Sequence, residues 1–380
     1  MCQPPKVPRA IFDLEWPSRR GNTVSTETFL LLPISILVIT LFSTFQVGLL
    51  RHWIKLNAIV DVPNGRSSHT QPTPRGGGLV IVTVMLFGWL LYMLVSDTAS
   101  FYFVRLAFFW GLSLVAAISW LDDVRTLSGL MRILVHLAAA VLVVAALAFS
   151  GMLRLFVPLA HLPLSLTVGL SLLWIVGMTN AYNFMDGIDG IAGSQAVVTG
   201  AVWSVFGFVT GHTLLLIPGL LIGASALGFL YYNWQPARIF MGDVGSAFLG
   251  FAWAVLALFA AHQDPRLALV GVLSLWPFIF DTSFTMLMRA WRRENIFHAH
   301  RSHLYQRLVA TGYSHRFVAL LYAGLALLNV GVALGWYLHL LSAWALGLVM
   351  VASSTGLWIS TRVQEREEKM NLRADGQPSL

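Results

Sequence analysis

Long apolar blocks constrain this chain more than any other feature. A helix needs about 20 apolar residues to cross a bilayer, and eleven blocks come close to or exceed that length. They cover 29–50, 76–96, 101–121, 130–150, 162–179, 190–210, 212–232, 244–262, 266–288, 317–338 and 341–360. Since backbone polar groups in hydrocarbon must be satisfied within the segment, the blocks are predicted to be helices. The fold expected is an all-α polytopic membrane protein with about 11 transmembrane helices.

Composition agrees with this fold. Charged residues make up 11% of the chain, whereas soluble domains carry roughly 25%. Three regions are predicted: an N-terminal tail over 1–28, a single transmembrane domain over 29–360 and a C-terminal tail over 361–380. No A-x-A-like cleavage site follows the first block, so an uncleaved span is expected rather than a signal peptide. The one cysteine, Cys2, excludes an intrachain disulfide.

Basic residues are distributed unevenly between the two sets of loops. If the loop over 55–75 faces the cytoplasm, 17 Lys and Arg residues lie on that side and only three lie opposite, with the last four in the N-terminal tail. The positive-inside rule then predicts an N-out, C-in orientation. The same rule accounts for the net charge of +7, so no nucleic-acid partner is expected.

The predicted inner loops carry nearly every chemically unusual residue. Seven of the 17 acids fall in them, namely Asp61, Asp122, Asp123, Asp186, Asp189, Asp243 and Glu294. The first of these loops also holds Arg66, His69 and Arg75 and ends in three glycines that open a span. Free N–H groups at such a helix start attract anions, although a flexible basic loop would look the same. These features predict an active site in the cytoplasmic-face loops.

Two adjacent carboxylates, Asp122 and Asp123, stand at a predicted membrane edge. Paired acids repel each other unless a cation or a proton lies between them. They therefore suit a divalent metal, a general base or both. Capping of a helix N-terminus is the structural alternative for such a pair.

The segment over 179–190 is rich in oxygen ligands at helical spacing. Asn180 and Asn183 are three residues apart, as are Asp186 and Asp189, and such pairs share one face of a helix. Hard oxygen ligands of this kind suit Mg²⁺, which commonly bridges to substrate phosphates. Asp243 lies between two glycine-containing runs just before an apolar block. A lone Asp at such a position is most often a helix N-cap, and the two other acidic clusters make a metal ligand a competing interpretation.

Three histidines, His298, His300 and His303, surround Arg301 in the last inner loop. Such a group is compatible with a soft-metal site, a diphosphate clamp or contact with anionic lipid. Because the acidic clusters favour Mg²⁺, the diphosphate clamp is preferred. Asp281, near the end of the preceding span, is expected to pair with a loop arginine.

In this order, these motifs resemble the polyprenyl-phosphate N-acetylhexosamine-1-phosphate transferase family, glycosyltransferase family 4. The most specific runs are Asn-Ala-Tyr-Asn-Phe-Met-Asp-Gly-Ile-Asp-Gly at 180–190 and Phe-Met-Gly-Asp-Val-Gly-Ser at 240–246. The similarity extends from about Asn57 to Leu308 and is greatest to the O-antigen initiating branch, which is related to the phospho-MurNAc-pentapeptide translocase.

The resemblance implies a reaction in which a UDP-N-acetylhexosamine and polyprenyl (undecaprenyl) phosphate give polyprenyl-diphospho-sugar and UMP. It implies Mg²⁺ as cofactor, with Mn²⁺ as the alternative, and the initiating step of a lipid-linked glycan such as the O-antigen of lipopolysaccharide. The expected location is the bacterial inner membrane, with membrane lipids as neighbours and the active site facing the cytoplasm. A homodimer is left open.

The resemblance also implies residue roles. The catalytic residues would be Asp122, Asp123 and Asp186, and the metal ligands Asn183 and Asp243. The substrate-binding residues would be Asn180, Asp189, Arg125, His298, His300, Arg301 and His303. Arg125 stands where the peptidoglycan branch tends to have lysine, which puts its role in doubt.

Two mechanisms and one rival function stay open at this point. The lipid phosphate either attacks the sugar-bearing phosphorus directly, or a transient acyl-phosphate forms on Asp186 or Asp122. The rival function is a secondary membrane transporter, which would place ionisable residues and broken helices near the midplane of the spans.

Overall fold

The computed structural model describes residues 26–56, 60–61, 72–96, 101–295 and 300–374. Within these ranges the chain forms thirteen helices and two short strands. They are α1 (Thr26–Leu56), β1 (Val60–Asp61), β2 (Thr73–Pro74), α2 (Gly78–Val95), α3 (Tyr102–Val124), α4 (Gly129–Phe149), α5 (Leu164–Phe184), α6 (Ile191–Thr210), α7 (Thr213–Asn233), α8 (Asp243–Gln263), α9 (Pro265–Leu273), α10 (Trp276–Trp291), α11 (Leu304–Ala310), α12 (His315–Tyr337) and α13 (Ala343–Ala374).

The predicted transmembrane architecture is confirmed. Ten helices in the described ranges are long and apolar enough to cross a membrane, and α9 with α10 adds an eleventh span if the bent pair is counted as one. Each of these spans overlaps one of the eleven blocks predicted above. The orientation of the bundle in the membrane is not tested by the structure and stays a prediction.

The ninth predicted span, 266–288, is broken rather than continuous. Its two halves, α9 and α10, meet at an angle of 72°. At the break, the Ser274 hydroxyl donates to the Gly271 carbonyl at 2.6 Å, and Pro277 in the first turn of α10 has no N–H to continue the ladder. Hydropathy alone does not reveal the break, because both halves are apolar.

The eighth span lies at the centre of the bundle. Its 18-residue apolar window is buried throughout, as expected for a helix that is apolar on every side. Two glycines let neighbouring helices approach it closely. A Cβ on Gly78 of α2 would lie 2.4 Å from the Cα of Gly245, and a Cβ on Gly250 would lie 2.5 Å from the carbonyl oxygen of Met178 in α5. These crossings fix α2 and α5 against the start of α8.

A small hydrogen-bonded assembly joins two segments far apart in sequence. The strands β1 and β2 are antiparallel, and Arg75 directly after β2 forms a bridge with Phe240. The N–H of Gly77 donates to the Phe240 carbonyl at 2.8 Å, and that of Gly78 to the Met241 carbonyl at 2.9 Å. The first glycine-rich loop is therefore tied to the segment that leads into α8.

Candidate active site

The acids predicted for the site, Asp122, Asp123, Asp186 and Asp243, lie at one end of the bundle. Since successive spans alternate in direction, the end of α3, the start of α4, the end of α5 and the start of α8 lie on the same side of the molecule. Asp122 and Asp123 lie in the last turn of α3, not in a loop as expected, and Asp243 is the first residue of α8. Ion pairs and hydrogen bonds connect these helix ends directly.

Asp123 is enclosed, with no exposed side-chain surface. Its Oδ1 accepts from the N–H of Asp243 at 2.9 Å and its Oδ2 from the N–H of Val244 at 3.0 Å. Asp123 therefore caps the N-terminus of α8, a helix distant in sequence. Helix capping was the structural alternative predicted for the Asp122–Asp123 pair. A Cβ at Gly242, which has φ +80°, would lie 2.6 Å from Asp123 Oδ2. The glycine before Asp243 is required both by its backbone conformation and by this contact.

Arg132 and Arg75 connect the remaining carboxylates. One nitrogen of Arg132 lies 2.7 Å from Asp122 Oδ2 and 3.1 Å from Asp243 Oδ2. The Arg75 guanidinium pairs with Asp243 and, through Nε at 2.9 Å, with Asp123. Asp243 thus receives charge-assisted hydrogen bonds from two sides. It does not serve as the N-cap of α8, because the capping position is Gly242.

Asp243 is also the point at which the predicted metal ligands meet. The Asn183 side chain and Asp122 both lie close to its carboxylate. Asn183 lies in the last turn of α5. Two neighbouring carboxylates require a proton or a cation between them, and in this structure the Arg132 guanidinium pairs with both. The structure therefore brings Asp122, Asn183 and Asp243 together, as the sequence predicted.

Asp186 follows α5 and faces the same group. The charges of Arg75, Asp243, Asp123 and Asp189 all act on it. Burial is the largest influence and raises the pKa of Asp186 well above its usual value, with the Arg75 charge opposing this. A carboxyl in such a position favours the protonated form unless a cation compensates its charge.

Asp189 and Asn180 are engaged elsewhere. Asp189 Oδ2 accepts from the N–H of Ala237 at 3.1 Å and lies 3.4 Å from His315 Nδ1. The Asn180 amide donates to the Val176 carbonyl in its own helix at 2.7 Å. Asp189 thereby joins the α5–α6 connection to the segment before α8, whereas Asn180 has no described contact with the acids.

The histidine segment is anchored by a buried carboxylate. Asp281 accepts from the N–H groups of Leu304 at 2.8 Å and Tyr305 at 3.0 Å, and from the Tyr322 hydroxyl at 2.6 Å. His303 Nδ1 lies 3.3 Å from the same carboxylate. The expectation that Asp281 pairs with a loop arginine is therefore wrong. Its partners are the start of α11 and His303, because a fully buried carboxylate there needs several donors.

The other members of the histidine group differ in exposure. The rings of His300 and His303 lie 5.0 Å apart, and His300 Nδ1 is 2.9 Å from the Ser302 hydroxyl. Burial, followed by the nearby His303 and Arg289, lowers the pKa of His300 to about 4. Without a bound anion, His300 is thus a neutral hydrogen-bonding group near pH 7, and its role in a diphosphate clamp stays a prediction. Arg301 is exposed, and His298 lies outside the described residues.

Tyr305 links the histidine segment to the acidic cluster. Its hydroxyl donates to the Phe184 carbonyl at the end of α5 at 3.0 Å. A Cβ on Gly187 would meet that hydroxyl at 2.0 Å. The segment that carries His303 therefore lies directly against the turn between Asn183 and Asp189.

Sequence reasoning missed the arginine that holds the cluster together. Arg125 was assigned to substrate binding, but it is exposed, and none of the ion pairs found among the described residues joins it to the cluster. Arg132, seven residues later in the first turn of α4, pairs with Asp122 and Asp243 instead. In the sequence, Arg132 contributes only to the 17 basic residues of the predicted inner side. Its place at the start of a span, beside an acid pair, was the available signal.

A preformed metal cage is not found in the part of the chain that the structure describes, where no three His, Cys, Asp or Glu side chains form a potential metal-binding group. Mg²⁺ does not need such a cage. It usually binds through one or two carboxylates together with waters and substrate phosphates. Asp243, Asp122 and the Asn183 amide provide a donor set of that kind.

Comparison with known proteins agrees with this arrangement. Residues 105–261 match the model for glycosyl transferase family 4. A probable undecaprenyl-phosphate N-acetylglucosaminyl 1-phosphate transferase from Bacillus subtilis is 34% identical over 270 residues, which are 69% of this chain and 73% of the relative. The chain belongs to this family of polyprenyl-phosphate N-acetylhexosamine-1-phosphate transferases.

Two further relatives show how far the similarity extends. A decaprenyl-phosphate N-acetylglucosaminephosphotransferase from Mycobacterium leprae is 30% identical over 334 residues, which are 80% of this chain and 82% of the relative. A phospho-N-acetylmuramoyl-pentapeptide-transferase from Streptococcus pneumoniae is 36% identical, but only over 138 residues, which are 36% of this chain and 40% of the relative. The family similarity thus includes the acidic cluster and, in the first two relatives, most of the chain.

Proposed function

We propose that this protein transfers an N-acetylhexosamine 1-phosphate from a UDP-sugar to polyprenyl phosphate, releasing UMP and leaving a polyprenyl-diphospho-sugar in the membrane. The observation that carries the proposal is the meeting of Asp122, Asn183 and Asp243 at one end of a membrane-spanning bundle. The family relatives named above act on polyprenyl phosphates, which supports the same class of acceptor here.

The location of the cluster suits these two substrates. A lipid phosphate keeps its anionic head at the membrane boundary while its tail stays in hydrocarbon, and a nucleotide sugar arrives from water. A site at the end of the bundle meets both. The transporter alternative predicts ionisable groups near the midplane of broken helices, whereas this acidic cluster lies where the spans end.

The charge of the cluster favours a divalent cation. Asp122, Asp123, Asp186 and Asp243 contribute four carboxyl groups, and Arg75 and Arg132 contribute two guanidinium groups. If all are ionised, two negative charges are left over. Mg²⁺, with Mn²⁺ as a substitute, would balance them, and Asp243 and Asn183 would hold it with support from Asp122. When bound, the cation would stabilise negative charge on the diphosphate and on the leaving UMP.

The reaction itself is a displacement at phosphorus. An oxygen of the polyprenyl phosphate forms a bond to the sugar-bearing phosphorus of the UDP-sugar, and the bond from that phosphorus to the bridging oxygen breaks, with the electron pair leaving on UMP. The chain's own residues orient and neutralise the reactants, and positioning with electrostatics accounts for most of such catalysis.

Individual side chains have distinct tasks in this scheme. Asp123 fixes the start of α8 and thereby places Asp243. Arg132 and Arg75 would bind the incoming phosphate groups, because both guanidinium groups lie beside the acids that would hold the cation. Asp186, whose pKa is raised by burial as long as no metal ion compensates its charge, is placed to accept or return a proton. A direct attack needs no further group, and it is preferred here over a covalent acyl-phosphate on Asp186 or Asp122.

The proposal also specifies the sugar donor, the product and the membrane in which the protein resides. The donor is a UDP-N-acetylhexosamine, and the product initiates a lipid-linked cell-surface glycan such as O-antigen. The protein resides in the bacterial inner membrane with the cluster facing the cytoplasm, in keeping with the basic residues counted at that end.

The test is an assay of UMP release. Purified protein receives polyprenyl phosphate, Mg²⁺ and a panel of UDP-N-acetylhexosamines. We expect release with at least one donor, its loss on addition of EDTA, and a loss of about 100-fold or more in Asp243→Asn, since such a change removes electrostatic stabilisation of the transition state. Asp264→Asn is the matched control, because Asp264 caps α9 at the opposite end and asparagine caps equally well. Folded protein that is silent across the panel would overturn the proposal.

A further inference from the structure

A buried histidine lies on the membrane side of the acidic cluster. His136, in the second turn of α4, is only 3% exposed, and neither of its ring nitrogens has a hydrogen-bond partner among the described residues. A neutral imidazole has one N–H donor and one acceptor nitrogen, and leaving both unsatisfied in a buried position is costly. An ionisable side chain within a membrane span is therefore expected to serve a ligand.

His136 shares a face of α4 with Arg132. Because it follows Arg132 by four residues, its position is about 6 Å further into the membrane along the helix axis. The charges of Arg132 and Asp243 both act on His136, and Arg132 itself pairs with Asp122 and Asp243. The buried residues further along this face are all apolar. His136 is therefore the polar group of α4 that lies just beyond the acidic cluster.

The position of α4 identifies the kind of ligand. This span packs mainly against α3 and α5, and its Leu134 and Leu137 side chains are exposed on the surface that faces lipid. A ligand that contacts both Arg132 and His136 extends from the membrane boundary toward the hydrocarbon. A phosphate attached to a hydrocarbon chain does so, whereas a nucleotide sugar has no apolar chain that would draw its phosphates beyond Arg132.

We propose that His136 binds the phosphate group of the polyprenyl phosphate acceptor, an inference that rests on the proposed function. The ring N–H donates a hydrogen bond to a phosphate oxygen while Arg132 pairs with the same phosphate. A singly ionised phosphate monoester also has an O–H, so it matches either nitrogen of the imidazole. His136 thus distinguishes the two substrates, because it contacts the lipid acceptor and takes no part in binding the nucleotide.

The experiment measures binding rather than transfer. Full-length protein in neutral detergent is titrated separately with undecaprenyl phosphate, undecaprenol and UDP-N-acetylglucosamine, and bound ligand is counted by native mass spectrometry. We expect His136→Leu to bind undecaprenyl phosphate about tenfold more weakly or worse, since it loses a hydrogen bond to a charged group. Its affinity for the other two ligands should change less than about twofold, because neither would contact the ring.

Two control variants separate ligand binding from folding. His136→Gln keeps an N–H donor and should retain the affinity for undecaprenyl phosphate within about threefold. Ser171→Ala removes another buried side-chain oxygen that has no partner. Ser171 lies in α5 twelve residues before Asn183, about 18 Å along the helix, so this variant should bind all three ligands as the wild type does. Thermal unfolding without ligand should show His136→Leu to be no less stable than the wild type, because the substitution removes unsatisfied buried polar atoms.

Three results would overturn the inference. The first is equal affinity of the wild type and folded His136→Leu for undecaprenyl phosphate. The second is an equal loss of affinity for UDP-N-acetylglucosamine, which would place the ring at the nucleotide, and the third is an equal loss for undecaprenol, which would make the effect one of packing. A wild type that binds no undecaprenyl phosphate contradicts the proposed function as well, whereas the three results above, obtained with a wild type that binds it, refute the role of His136 alone.

Discussion

At the scale of single residues, Asp243 is the most connected group of the cluster. It pairs with two arginines, and Asp122 and Asn183 lie beside it. A carboxylate with so many partners cannot be replaced without leaving several of them unsatisfied. The chemistry proposed here therefore depends on the arginines as much as on the acids.

Arg132 provides the first residue-level prediction. Arg132→Ala should lower the rate of UMP release about 10- to 100-fold, because a charge-assisted hydrogen bond is worth ~1.5–3 kcal/mol and Arg132 makes two. Arg125→Ala, seven residues away at an exposed position, should change the rate less than about twofold. The two rates are compared at saturating donor. A larger loss in Arg125→Ala would mean that the cluster is organised differently.

His300 provides a prediction about pH. Its pKa is lowered to about 4 in the folded protein, below the usual value near 6.5, so the unfolded chain binds more protons between these values. The contribution of neutral His300 to the free energy of unfolding is then fully present above about pH 6.5 and is lost as the pH falls toward about 4. The midpoint of thermal unfolding should drop between about pH 7.5 and about pH 5 in the wild type, and should drop less in His300→Gln.

An exposed histidine is the control for this measurement. His161→Gln changes a histidine in the loop after α4 and should reproduce the wild-type drop. If His300→Gln shows that same drop, burial of His300 does not govern the acid sensitivity.

The acids were identified from sequence because their motifs are local. Asn183 and Asp186 lie three residues apart at the end of α5, so short-range spacing already predicts that they are neighbours, whereas Asp189, three residues further on, binds Ala237 and His315 instead. The pairing of Arg132 with Asp243 spans 111 residues of chain, and local spacing carries no information about it. Asp281 was found as an intramembrane acid, but its partners at the start of α11 depend on how α10 and α11 pack.

At the scale of secondary structure, the spans themselves were predictable because the bilayer sets their length. The break between α9 and α10 was not. Gly271 at the break lies so close to Trp203 that a Cβ would come within 2.1 Å of the indole, a contact between helices that hydropathy does not register. The central position of α8 could not be predicted from hydropathy either, because α8 is about as apolar as the neighbouring spans.

The crossing of α2 and α8 gives an element-level prediction. Gly78→Ala would place a Cβ 2.4 Å from the Gly245 backbone, which cannot move aside as a side chain could. We expect α8 to shift at Asp243, a loss of ~1–3 kcal/mol in stability from overpacking and a clear fall in UMP release. Gly169→Ala, in α5 with no neighbouring atom within 4 Å, is the matched control and should have little effect on either. Thermal unfolding and initial rates of both variants test this. If Gly78→Ala and Gly169→Ala have the same thermal stability and the same initial rate, the crossing of α2 and α8 is not tightly packed.

At the scale of the whole molecule, the acidic cluster and the described histidines lie at one end of the bundle, and the positive-inside rule predicts that this end is cytoplasmic. Single cysteines in a Cys2→Ser background test the orientation. Thr126→Cys, in the exposed connection between α3 and α4, should react with a membrane-impermeant maleimide only after cells are opened. His161→Cys, in the exposed connection between α4 and α5, should react in intact spheroplasts. The reverse pattern would invert the orientation and separate the cluster from cytoplasmic nucleotides.

Asp122, Asn183 and Asp243 are proposed to hold one divalent cation that contacts the nucleotide diphosphate. Electron paramagnetic resonance of Mn²⁺ tests this most directly, on purified protein with and without a UDP-N-acetylhexosamine. We expect a single bound Mn²⁺ in the wild type and in Asp264→Asn, phosphorus hyperfine coupling when the donor is added, and loss of the bound ion in folded Asp243→Asn. Mn²⁺ that binds Asp243→Asn as tightly as the wild type, or that never couples to phosphorus, would contradict it.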